Sequence, residues 1–211
     1  MDDQLLRYAE ANSSPESEVL RALRVKTWQT VLSPQMLSDS IQGNFLANIS
    51  KMIRPQAILE IGTYTGYSAI CLSEGLRDDG KLYTIDINEE LESMSSSYFE
   101  KAGIKDKVRQ YVGNALEIVP TIKDNFDLIF IDADKENYSN YFDIVIDKMP
   151  IGGFIIADNV LWSGKVVEEL KSNDSETKAL IDYNTKIHQS NRVENLLLPV
   201  RDGLMICQKV K

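Results

Sequence analysis

Two apolar runs in this chain each end in an acidic cluster, and the groups gathered there suit a divalent cation beside a proton acceptor. Phe126-Asp127-Leu128-Ile129-Phe130-Ile131 leads into Asp132-Ala133-Asp134-Lys135, and Gly153-Phe154-Ile155-Ile156-Ala157 leads into Asp158-Asn159. Asp132, Asp158 and Asn159 offer hard oxygen atoms of the kind that hold Mg²⁺, with Mn²⁺ or Ca²⁺ as alternatives. Lys135 follows Asp132 by three residues and would accept a proton where a nearby cation favours its neutral form. Each residue also has a plainer reading. Acids at strand ends often cap helices, and a lysine taken alone is an ordinary solvated side chain.

The elements that must position these groups follow from the hydrophobic pattern. Near-continuous apolar runs read as parallel strands covered on both faces, and open parallel sheets bind ligands at their carboxyl ends. Further strands are expected at Ala57 to Ile61, Lys81 to Ile85 and Val108 to Val112, with helices between them. Strands alternating with helices imply right-handed crossovers. After a helix over about Ser175 to Gln189, the segments Val193 to Leu198 and Leu204 to Gln208 flank Asp202-Gly203, a turn signal that makes them an antiparallel pair. The expected fold class is α/β: a mostly parallel seven-stranded sheet with a C-terminal antiparallel hairpin.

Residues 1–55 read as a helical extension, and 56–211 as the α/β core of a single domain. Gln4 to Ala11 forms one expected helix, and Ser14-Pro15-Glu16 opens a second with Val19, Leu20, Leu23 and Trp28 on its apolar stripe. Asp39 to Ile53 carries Ile41, Phe45, Leu46, Ile49 and Ile53 at helical spacing, closed by Arg54-Pro55. Such a preface would cover the site or form a subunit contact.

Bulk properties narrow the function classes. The chain has 211 residues, 43% hydrophobic and 26% charged, enough for one domain with a substantial core. A net charge of −9 weighs against a nucleic-acid partner held by phosphate contacts. No run approaches the roughly 18 apolar residues of a membrane span, and Met1-Asp2-Asp3-Gln4 lacks the apolar stretch of a secretory leader. Cys71 and Cys207 sit in apolar segments and lack Cys-x-x-Cys spacing, which points to reduced thiols in a cytoplasmic protein. His188 is the only histidine, so a His-based zinc site is ruled out by count.

A second constellation lies between the first strand and its helix. Glu60-x-Gly62-x-x-x-Gly66 places backbone N–H groups where they can approach an anion or carboxylate, and Asp86 ends the next strand, where a carboxylate can accept ribose hydroxyls. The spacing departs from Gly-x-Gly-x-x-Gly, which counts against a nicotinamide dehydrogenase. The plainer reading is that both glycines only permit tight strand-to-helix packing.

Ile58-Leu59-Glu60-Ile61-Gly62-Thr63-Tyr64-Thr65-Gly66-Tyr67-Ser68-Ala69 resembles the first motif of the cation-dependent S-adenosylmethionine O-methyltransferases, the catechol and caffeoyl-coenzyme A type. Gly43-Asn44-Phe45-Leu46, Asp132-Ala133-Asp134-Lys135 and Asp158-Asn159-Val160-Leu161-Trp162 extend the resemblance over nearly the whole chain. It implies a class I methyltransferase Rossmann-like fold and a homodimer. It also implies that Ser38, Glu60, Gly62, Thr63, Ser68, Asp86, Ala115, Asp132 and Asp134 bind S-adenosylmethionine. By the same resemblance Asp132, Asp158 and Asn159 hold the metal, and Lys135 with Asp132 is catalytic. Trp162 and Ser163 fall at substrate positions. Ser163 stands where plant members carry an Asn, a difference that bears on the substrate, and Trp162 also reads as core or rim packing.

The implied reaction is methyl transfer to a hydroxyl of a small aromatic vicinal diol, free or carried as a coenzyme A ester. Phenols titrate near pH 10, and a dication favours the anion. Three protein oxygens on an octahedral ion leave about three positions, enough for both oxygens of a catechol and one water. A hydroxylated uridine in tRNA is a competing acceptor if Lys165, Lys171, Arg192 and Arg201 form one basic face. A non-catalytic S-adenosylmethionine-binding module is the third reading.

Overall fold

The computed structural model describes residues 3–211. Met1 and Asp2, which open the expected acidic N-terminus, lie outside the described residues. In chain order the elements begin with α1 (Asp3–Ala11), α2 (Glu18–Thr30), α3 (Ser40–Ile53), β1 (Ala57–Ile61) and α4 (Tyr67–Ser73). They continue with β2 (Lys81–Asp86), α5 (Glu92–Lys101), β3 (Val108–Val112), α6 (Ala115–Ile118) and β4 (Leu128–Ile131). The last are α7 (Tyr138–Ile146), β5 (Phe154–Asp158), α8 (Ser175–Gln189), β6 (Val193–Leu198) and β7 (Leu204–Lys209).

The sheet has seven strands in the order β3-β2-β1-β4-β5-β7-β6. β2 pairs with β3, β1 with β4 and β4 with β5 in parallel, while β7 runs antiparallel to β5 and to β6. This is the expected mixed sheet with its closing hairpin. Two compact units divide the chain, one taking residues up to 56 together with 63–113, the other 57–62 together with 114–211.

In the second unit every residue of β1 and β4 is buried, as strands covered on both faces must be. β4 begins at Leu128 rather than Phe126, because the Phe126 N–H turns away to the Lys148 carbonyl at 2.8 Å. α8 has the expected bounds, opened by Asp174, whose side chain accepts the Thr177 N–H.

In the first unit the helices depart from expectation in instructive ways. α2 starts at Glu18 with Ser17 as its cap, whose hydroxyl accepts the Leu20 N–H at 3.2 Å. Ser14 and Pro15 stay outside it, the Ser14 carbonyl taking the Asn44 amide at 2.8 Å. Its inward face is Leu20, Leu23 and Thr27. Trp28, one residue and about 100° further round the helix, is 59% exposed. α3 buries Gln42, Gly43, Leu46, Ala47 and Ser50, so of the expected stripe only Leu46 is fully inside. The reason is close packing on small residues: a Cβ at Gly43 would lie 2.8 Å from the Tyr67 ring, and the Ser50 hydroxyl donates to the Leu72 carbonyl at 2.5 Å. α4, which the sequence pattern carries to about Leu76, stops at Ser73, and Gly75 just beyond it sits too close to the Ser50 backbone to carry a Cβ. Among the described residues no helix is long and apolar enough to cross a membrane.

Candidate active site

β4 and β5 run side by side in register, Ile131 opposite Ala157, so the residues that follow them emerge together. Asp132 leaves β4 with its N–H on the Ile61 carbonyl at 2.9 Å. Asn159 follows β5 with φ +58°, a left-handed conformation that Asn tolerates better than most residues. The Asn159 N–H donates to Oδ1 of Asp158 at 2.7 Å, which orients that buried carboxylate.

Lys135 joins the two strand ends. Its Nζ lies 3.0 Å from Oδ1 of Asp132, 3.0 Å from Oδ1 of Asn159 and 2.7 Å from the Tyr138 hydroxyl. An ammonium has three protons to donate, and these three oxygens accept them. That matching is what makes a lysine only 6% exposed tolerable, since a buried charge must be paired and hydrogen-bonded. Tyr138 is fully buried, and its hydroxyl donates a hydrogen bond to the Asp158 backbone carbonyl at 2.9 Å. Burial, followed by the charges of Asp132 and Asp158, pushes its phenol well above the usual range, so it stays a neutral hydroxyl that donates and accepts at once.

The donor set fits a hard cation. Among the described residues no three Asp, Glu, His or Cys side chains gather. The donors read from the sequence are instead two carboxylates and a carboxamide, of which Asp132 Oδ1 and Asn159 Oδ1 meet at Lys135 Nζ. The Lys135 ammonium is itself a positive charge that draws Asp132 and Asn159 oxygens to one point, so it stands in for what a dication would do there.

Trp162 lies at the rim, its ring centroid 5.7 Å from Nζ of both Lys135 and Lys165. Its indole N–H is buried without a hydrogen-bond partner. Trp162, Ser163 and Gly164 are all left-handed, with φ of +48°, +55° and +84°. Ser163 is exposed, and its N–H bonds to the Asp202 carboxylate. Asp134 is also exposed, held by the Tyr141 hydroxyl and by the Asn137 amide at 2.5 Å. Lys165 and Arg192, two members of the expected basic face, are paired with Asp174 and Asp147.

The glycine-rich turn is built around close approach. Gly62 has φ +103°, and a Cβ there would fall 1.9 Å from the Asp132 carbonyl oxygen, so only glycine fits. Glu60 is fully buried within β1. In the other unit, Tyr64 adopts φ +48°, and its N–H donates to Oδ2 of Asp86 at 2.6 Å. Oδ1 of Asp86 accepts from Asn88 at 2.9 Å. Two of the roughly four lone-pair directions of that carboxylate are thus used, leaving capacity for ribose hydroxyls. Buried Thr63 shares a hydroxyl hydrogen bond with Thr84 of β2 at 2.5 Å. Ser38 is half-buried just before Asp39, the cap of α3, and Ser68 is buried in the first turn of α4. Ala115 is buried at the first position of α6, behind the capping side chain of Asn114.

From the sequence, Tyr138 and Tyr141 read equally as residues lining the site or as a buried helix face; the structure brings Tyr138 to Lys135, a role that sequence reasoning did not assign it. Its position three residues after Lys135, one helical turn on, was the available signal.

The family model described as O-methyltransferase matches residues 10–210. The "Caffeoyl-CoA O-methyltransferase" of Medicago sativa is 34% identical over 214 residues, covering 93% of this chain and 83% of that protein. The SAH-bound methyltransferase PaMTH1 of Podospora anserina superposes with a TM-score of 0.90 at 28% identity, over 99% of this chain and 95% of that one. The O-methyltransferase from Bacillus cereus in complex with SAH gives 0.90 at 29% identity, over 96% of each chain. The chain belongs to the O-methyltransferase family that its motifs resemble, and it is an S-adenosylmethionine-dependent O-methyltransferase.

Proposed function

We propose that the whole chain acts as one O-methyltransferase domain that methylates a hydroxyl of a small aromatic vicinal diol, free or as a coenzyme A ester, with the help of a divalent cation. The observation that carries this reading is the convergence of Asp132 Oδ1 and Asn159 Oδ1 on Lys135 Nζ, each at 3.0 Å, beside the buried Asp158. The caffeoyl-CoA enzymes among the relatives support the substrate class.

Asp132, Asp158 and Asn159 would hold the cation, Mg²⁺ first, with Mn²⁺ or Ca²⁺ as alternatives. When bound, it supplies charge that favours the phenolate and orients neighbouring acceptor oxygens. S-adenosylmethionine would be held by Ser38, Glu60, Gly62, Thr63, Ser68, Asp86, Ala115, Asp132 and Asp134, and it supplies the methyl group. Asp86 would take the ribose hydroxyls with its free lone pairs. Buried Glu60 would favour a cationic group over a phosphate. Lys135, held in place by Tyr138, would take the proton from the acceptor hydroxyl as the neutral amine, the form that a cation bound beside it would favour. Trp162 would close the acceptor side, its buried indole N–H giving a polar contact, with Ser163 at the rim.

Val25, Trp28, Leu32 and Met36 are exposed on the N-terminal helical segment, which supports a homodimer covering that face. Both cysteines are buried and free, in keeping with a reducing cytoplasm.

The test is a methyl-transfer assay with S-adenosylmethionine against catechols, coenzyme A esters and tRNA, with and without a chelator. Catechol methylation that chelation abolishes is expected. The Asp158→Ala variant should lose turnover yet bind S-adenosylhomocysteine normally. Full activity after exhaustive metal removal, or equal loss of cofactor binding in that variant, overturns the reading.

A further inference from the structure

The turn after β1 is held in a conformation that its own residues do not favour. Tyr64 is a bulky residue at φ +48°, a left-handed conformation that carries a steric penalty and persists only where the surroundings enforce it. Asp86 holds its N–H from one side. The other supports come from α2 and the segment that follows it. The Thr27 hydroxyl donates to the Thr65 hydroxyl at 3.2 Å, both side chains being fully buried. The Tyr64 phenol donates to the Ser33 carbonyl at 2.9 Å. Two further bonds fasten the helix and the residues leading into it: Tyr98 donates to the Ala22 carbonyl at 3.1 Å, and Tyr67 donates to Glu16 at 2.7 Å.

We propose that Thr27 is a positioning residue for the Thr63–Gly66 turn, so that the N-terminal helix pre-forms part of the S-adenosylmethionine site. This rests on the assignment of that turn to the cofactor made above. Thr27 does not touch the cofactor; it acts through Thr65. Without its hydroxyl, the buried Thr65 hydroxyl loses its partner, and a buried hydroxyl without a partner destabilises the arrangement that contains it. The turn then relaxes in the free protein, and ligand binding must restore the competent conformation. Affinity falls by the fraction of molecules that remain competent.

The experiment is calorimetric titration of full-length protein with S-adenosylhomocysteine, alongside thermal melts. Thr27→Val keeps the shape and removes the hydroxyl, and it should weaken binding about tenfold. Thr27→Ser keeps the hydroxyl and loses the methyl, so it should melt earlier but bind within about twofold of wild type. Leu23→Ala, which opens a cavity on the same helix face, should lower the melting temperature and leave affinity unchanged. Wild-type affinity in Thr27→Val, weakened binding confined to Thr27→Ser, or an equal loss in Leu23→Ala each overturns the proposal. Wild-type protein that fails to bind the ligand at all would instead remove the cofactor assignment beneath it.

Discussion

The Tyr138 hydroxyl accepts from Lys135 Nζ at 2.7 Å and donates to the Asp158 backbone carbonyl at 2.9 Å, so one buried phenol ties the lysine to the end of β5. Tyr138→Phe removes both bonds while keeping the ring packed edge-on against Tyr183. Turnover should fall about tenfold with little change in KM for the acceptor, and stability should drop by about 1–3 kcal/mol. Steady-state kinetics and thermal melts check this. A lowered melting temperature with undiminished kcat would reduce Tyr138 to a core residue.

Lys135→Ala should act on chemistry rather than binding. Loss of a positioned proton acceptor costs roughly 10²–10⁴ in rate. We expect a loss of that order in kcat, with S-adenosylhomocysteine affinity unchanged by calorimetry. Weakened cofactor binding of similar size would assign the lysine to the architecture of the strand ends.

Gly62 and Gly103 both have positive φ, yet substitution should cost very different amounts. A Cβ at Gly62 falls 1.9 Å from a backbone oxygen, whereas nothing lies within 4 Å of one at Gly103. Gly103→Ala should cost only the left-handed penalty of about 1–2 kcal/mol. Gly62→Ala should cost about 4 kcal/mol or more, enough to impair folding. Comparable denaturation midpoints for the two variants would contradict this.

Burial pushes the Glu16 carboxyl up, but the hydrogen bonds from Arg24 and Tyr67 together with the charges of Arg24 and Arg21 outweigh it and hold the group below its ordinary value of 4.5. A group depressed on folding contributes stability that is present above its unfolded value and is lost as pH falls through its folded one. Wild-type stability should therefore decline between about pH 5 and pH 3 more steeply than that of Glu16→Gln. Melting curves over that range decide it, and parallel slopes would mean the carboxylate contributes nothing there.

Much of the sheet was legible because its signals are local. Leu128-Ile129-Phe130-Ile131 and Ile155-Ile156-Ala157 are unbroken apolar runs, and the register of β4 and β5 brings Asp132 and Asn159 to one end as the pattern implied. α8 was legible as a helix over Ser175 to Gln189, the bounds it has. What stayed hidden depends on partners distant in sequence. Leu20, Leu23 and Thr27 face inward on α2 while Trp28 does not, a choice made by what packs there and not by hydrophobicity. The role of Tyr138 depends on a carbonyl twenty residues away, and that of Thr27 on a hydroxyl thirty-eight residues away. A buried tyrosine or threonine on a helix looks the same in sequence whether or not such a partner exists.

The meeting of Gly62 with Asp132 is backbone against backbone, with no side chain at the seam. A side chain added at that spot has nowhere to go, so changes aimed at new acceptors belong elsewhere. The 162–167 segment, which opens with three left-handed residues and closes on the 87%-exposed Val167, is where a directed library would find room.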